Sequence, residues 1–108
     1  MFATRRLLQS CRITFFTRDT CGLCGQAKGV LSDVWDKRPF AYKEVNIDAS
    51  QPESKAWKNL YDFDVPVIHI SKTTAPEEDP AKSGKAIKLM HRFTVEQVEA
   101  KMEKAEQS

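Results

Sequence analysis

Between residues 22 and 37 the apolar positions Leu23, Ala27, Val30, Leu31, Val34 and Trp35 recur at spacings of four, three, one, three and one. That is the stripe of a helix with one buried side. Of the six residues before the turn that leads into it, 12–17 (RITFFT), all but Arg12 are β-branched or aromatic, and the apolar ones are mostly consecutive. Such a run predicts a strand covered on both faces. Residues 41–47 (AYKEVNI) form a second strand with Ala41, Val45 and Ile47 on one face, and Pro39 closes the helix before it. Ser50 with Glu53 makes a capping-box pattern, Pro52 suits a first helical turn, and Ala56, Trp57, Leu60 and Tyr61 give a second helix its apolar side.

Residues 65–70 (VPVIHI) predict a third strand, with Pro66 near its entry because proline cannot donate to a ladder. Residues 71–85 are polar with two prolines and a glycine, a long loop of the functional or mobile kind. Residues 86–91 (AIKLMH) form a fourth strand. Thr94 and Gln97 make another capping box, with Phe93 placed to staple onto Val98, and Val95, Val98, Met102 and Ala105 line a last helix. The order is βαβαββα. A crossover helix makes the first two strands parallel, and the last two form an antiparallel hairpin. The expected fold class is α/β, a four-stranded mixed sheet with helices on both faces.

The chain has 108 residues, enough for one domain that buries about two-thirds of its unfolded surface. A net charge of +2, from 17 basic and 15 acidic residues, gives no basic patch for nucleic acid. No apolar run approaches the roughly 20 residues that span a bilayer, so no membrane partner is expected. Residues 1–11 carry Arg5 and Arg6 and no acid, and are read as an N-terminal tail or a short targeting segment. The domain then occupies residues 12–108. With an odd number of cysteines, two of them three positions apart, a reducing compartment fits best, mitochondrial or cytoplasmic.

Those two cysteines carry the chemistry. Cys21 stands near the N-cap of the first helix, where free backbone N–H groups and the helix dipole favour a thiolate. Cys24 lies one turn on, beside Ala27 and Leu31 on the stripe, and should be the more buried thiol. Cys21 is therefore the expected nucleophile on a disulfide and Cys24 the resolving thiol. Half of a zinc site is the alternative for such a pair, but zinc needs four ligands. The other candidates, Cys11, His69 and His91, are scattered over separate elements.

The combination of a first strand, Cys21-Gly22-Leu23-Cys24 and Val65-Pro66 opening the third strand resembles the thioredoxin superfamily, and most of all small glutaredoxins. The resemblance runs from Arg12 onward and is nearest to short eukaryotic glutaredoxin-like proteins with a CxxC centre. It implies a thioredoxin fold, with Pro66 cis opposite the catalytic pair and the Val65 backbone free to pair with a substrate's main chain. Arg18 matches the basic residue three before the first cysteine, and would attract a glutathione carboxylate. The resemblance further implies a redox-active disulfide and glutathione as co-substrate, with no tightly bound cofactor and no metal. The chain departs from the glutaredoxin pattern after the fourth strand. His91-Arg92-Phe93-Thr94 replaces the usual Gly-Gly and aspartate, and Gly22-Leu23 stands where Pro-Tyr is usual.

The expected function is thiol–disulfide oxidoreduction on protein or glutathione mixed disulfides, by a monomer. A zinc or iron–sulfur module built on the same cysteines is the alternative, as is a redox-inactive interaction protein on a thioredoxin scaffold. Cys11 reads as a passive thiol, His69 as a satisfied strand residue, and Trp35 and Trp57 as core.

Overall fold

The computed structural model describes residues 10–107. Its elements are β1 Cys11–Thr17, α1 Gly22–Lys37, β2 Ala41–Asn46, α2 Pro52–Tyr61, β3 Val67–Lys72, a 3-10 helix Pro80–Lys85, β4 Ile87–Met90 and α3 Val95–Gln107. The strands lie in the order β2-β1-β3-β4. β1 is parallel to β2 and antiparallel to β3, and β3 and β4 form an antiparallel hairpin. This is the α/β arrangement that the sequence predicts.

The unbroken apolar run of β1 follows from its central place. Phe15 is opposite Ile68 and Phe16 opposite Val67, and the two pairs serve opposite faces. Ile13, Phe15, Ile68 and Ile70 pack with Leu31 and Val34 of α1 and Val98 and Met102 of α3. Phe16, Val45, Ile47 and Val67 pack under Trp57 and Tyr61 of α2. The Phe16 ring centroid is 4.3 Å from that of Trp57. Each fully buried side chain of this size is worth roughly 1.5–3 kcal/mol, so two helices on one face and one on the other hold the sheet.

Several boundaries move. β1 begins one residue earlier, at Cys11, and β3 begins at Val67, because Pro66 has no N–H for the ladder. β3 then runs on to Lys72, and the polar segment after it contains the 3-10 helix, whose first turn is capped by the Asp79 carboxylate accepting from Ala81 N at 3.0 Å. The Ser50–Glu53 capping box does not form. Gln51 is the N-cap without a side-chain bond, and Glu53 meets Lys43 instead. The buried side of α2 is Ser54, Trp57 and Tyr61, which turns Ala56 and Leu60 outward. Trp35 is likewise not core. It is 41% exposed and lines an open groove of about 440 Å³ with Leu31, Phe40 and Tyr42. The second box does form: Thr94 N donates to Gln97 Oε1 at 2.9 Å, and Gln97 N to Thr94 Oγ1 at 3.1 Å. The targeting reading falls mostly on residues 1–9, outside the described residues.

Candidate active site

Cys21 is the N-cap of α1. Its backbone is extended (φ −138°, ψ 108°), and its sulfur accepts the Cys24 N–H at 3.1 Å. Capping by a sulfur satisfies one of the helix's orphan donors, and the same N–H stabilises charge on that sulfur. No acid lies in the first turn to offset the positive end of the helix. Cys21 is half-buried, whereas Cys24 is 4% exposed within the α1–α3 side of the core. The two are joined as a disulfide, with Cα atoms 5.2 Å apart. The structure is thus that of the oxidised protein.

The Val65-Pro66 bond is cis, the isomer that the sequence resemblance implies. Strand register places it beside the cysteines. Val67 is opposite Phe16, so Pro66 enters β3 at the end of the sheet where β1 leaves for Cys21. Val65 is partly buried and packs against both sides of the core. The Pro66 carbonyl accepts from His91 N at 2.8 Å, which anchors this entry to the end of β4. His91 takes φ 64°, the left-handed conformation that favours glycine. The backbone turns there as a glycine would, although the residue is histidine.

Arg18 sits between two carboxylates. Its Nε and Nη2 reach Asp48 at 3.0 and 3.2 Å, while Nη1 donates to the Asp62 carbonyl at 3.0 Å and Nη2 bonds the Asp62 carboxylate. The guanidinium clasps the turn before Cys21 to the loop before Pro66. Hydrogen bonds from Arg18, then Lys58, hold the Asp48 carboxyl below its usual range. Most of the donors of Arg18 are therefore engaged within the chain.

His69 is not at this site. It points to the α2 side, 1% exposed, with Nε2 2.7 Å from the Tyr61 hydroxyl and Nδ1 2.7 Å from Glu78. Arg12 closes the group, bonding Glu78 at 2.9 Å and the Ala75 and Pro76 carbonyls at 3.1 and 2.8 Å. Burial pushes the Tyr61 hydroxyl up to about 12. Burial also works to raise the Glu78 carboxyl, but the bonds from His69 and Arg12 outweigh it and leave it low. Sequence alone hides this group, because Glu78 is one of several acids in a polar stretch and only folding selects it. Cys11 is fully buried, its sulfur against the Met102 carbonyl, and burial followed by the nearby Glu106 raises its pKa to about 11. Among the described residues no three His, Cys, Asp or Glu side chains gather as a metal site requires.

Residues 12–103 match the glutaredoxin-like domain family (DUF836). The chain belongs to that family. Among solved structures it is similar to XcR50 of X. campestris, a structural-genomics target, with 26% identity over 86% of this chain and 97% of that one, and a TM-score of 0.59. It is also similar to chloroplastic thioredoxin z (18% identity, 98% and 84% covered, TM-score 0.65). Oxidised thioredoxin O2 of Arabidopsis thaliana gives 19% identity, 95% and 86% covered, and a TM-score of 0.59. The two thioredoxins carry the fold. With a glutaredoxin-like domain and a CxxC pair at disulfide distance, the chain has a site suited to thiol redox chemistry, of the thiol oxidoreductase class.

Proposed function

We propose that the protein reduces disulfides by dithiol exchange. The observation that carries this is Cys21 capping α1 with its own sulfur while bonded to the buried Cys24. In the reduced protein the Cys21 thiolate attacks one sulfur of a substrate disulfide and expels the other as a thiolate. Cys24 loses its proton and attacks the Cys21 sulfur of the mixed disulfide. The second substrate sulfur leaves as a thiolate, so the substrate disulfide has taken up the two electrons that the Cys21–Cys24 dithiol gives up.

A thiol reductant then restores the pair, with glutathione the first candidate and a thioredoxin-type system the second. Val65, entering β3 next to cis-Pro66, offers the backbone that lines up a substrate strand. Arg18 acts on the turn itself, by holding it against Asp48 and Asp62. We further propose that the protein works as a monomer, in mitochondrion or cytosol, without a tightly bound cofactor. Turnover of the mixed disulfide of glutathione and 2-mercaptoethanol tests the reading. Cys21→Ser is expected to reduce it to the uncatalysed rate, and undiminished turnover in that variant would overturn dithiol exchange.

A further inference from the structure

Phe63 is 91% exposed, the extreme among the large apolar side chains of the described residues, and it lies three positions before Pro66. Its neighbour Asp62 is bonded through both carbonyl and carboxylate to Arg18, three positions before Cys21. The ring is thereby held on a loop clasped to the dithiol turn. Asp64 N donating to the Tyr61 carbonyl at 2.9 Å closes the turn that carries it. An aromatic ring left in water on an anchored loop beside a reactive centre has no role in the core, and it offers area to a partner.

The surroundings of the ring are acidic. Asp62 and Asp64 flank it, Asp19 precedes Cys21 and accepts from Asn46 at 3.2 Å, and Asp48 lies on Arg18. Four carboxylates meet two cations here, Arg18 and Lys58, and both of those are bonded to Asp48. Arg92 is a third cation on this side, exposed on the connection after β4 next to His91, whose N–H bonds the Pro66 carbonyl, so the carboxylates still outnumber the cations. Glutathione is a small anion with no apolar group to cover Phe63. A protein segment can supply both an apolar side chain and basic neighbours.

We propose that residues 62–65 dock disulfide-bearing protein segments, with Phe63 as apolar anchor and the flanking aspartates favouring basic residues around the disulfide. This rests on the dithiol-exchange reading and names its substrate class. Pre-reduced protein should be mixed with three oxidants, and the second-order rate constant for forming the Cys21–Cys24 disulfide measured for each. Two oxidants are cyclic disulfide peptides that share a leucine and differ in carrying lysines or glutamates. The third is bis(2-hydroxyethyl) disulfide. The lysine peptide is expected to react about tenfold faster than the glutamate peptide, with the gap closing in high salt. Phe63→Ala is expected to lower the rate ratio of lysine peptide to small disulfide by about tenfold, the scale of an interface anchor, and Phe63→Leu to restore most of it. Peptide rates within about twofold of each other, or a ratio that Phe63→Ala leaves in place, would overturn the docking proposal while leaving dithiol exchange standing. Failure to oxidise with the small disulfide as well would overturn both.

Discussion

His69 Nδ1 lies 2.7 Å from Glu78 Oε1, joining the inner strand β3 to the middle of a long polar segment nine residues further on. With Arg12 on the other Glu78 oxygen and Tyr61 on the other His69 nitrogen, one buried group fastens β1, β3, α2 and the loop together. Truncating one member leaves the others buried and unpaired, which costs more than the bonds themselves contribute. His69→Ala is expected to destabilise the fold by about 2–4 kcal/mol, counting two lost bonds and a cavity under Trp57. Denaturant unfolding measures it, and a change below about 1 kcal/mol would contradict a structural role for the group.

The same group sets an acid limit. The Glu78 carboxyl is held below its ordinary value of 4.5 in the folded chain. A lowered folded pKa means that the unfolded chain takes up the proton first as pH falls. The contribution is therefore complete above 4.5 and is lost as pH drops towards the folded value. Glu78→Gln is expected to flatten the fall in unfolding free energy below pH 4.5. An unchanged slope would show that other carboxylates govern it.

Much of this was legible in the sequence, for physical reasons that particular residues illustrate. The stripe from Ala27 to Val34 and the double-faced run of β1 are long patterns that packing enforces, so they survive folding. The Thr94–Gln97 box formed as spaced, each side chain bonding the other residue's backbone N–H. Ser50–Glu53 failed because the helix starts one residue later, with Gln51 as N-cap, which puts Ser50 and Glu53 out of register for a box. The dithiol centre was legible because adjacent positions along one chain carry it. The Asp62 clasp on Arg18, the exposure of Phe63 and the His69–Glu78 pair were not, because each depends on residues that only the tertiary fold brings together.

Cys11 and Cys21 should differ sharply as nucleophiles. Cys11 is buried, with its pKa raised to about 11, whereas Cys21 is half-buried at a helix N-terminus. In the reduced native protein at neutral pH, iodoacetamide is expected to label Cys21 at least about tenfold faster than Cys11. Mass spectrometry of the digested protein reads the order, and equal labelling would contradict the burial of Cys11.

His91 takes the left-handed backbone region, at φ 64°. Such a conformation costs a non-glycine residue about 1–2 kcal/mol, part of which glycine recovers. His91→Gly is expected to be neutral or stabilising by up to about 1 kcal/mol, whereas His91→Val is expected to destabilise. Thermal unfolding of the pair decides it, and the reverse order would contradict the backbone assignment.

The central claim is that Cys21 attacks and Cys24 resolves. Its most direct test is intact-mass measurement after exposing each single variant to a disulfide-bonded peptide. Cys24→Ser is expected to accumulate a stable adduct with one peptide sulfur on Cys21, released by dithiothreitol, while Cys21→Ser accumulates none. An adduct on Cys24 in the Cys21→Ser protein, with none on Cys21 in its counterpart, would reverse the roles and contradict the account.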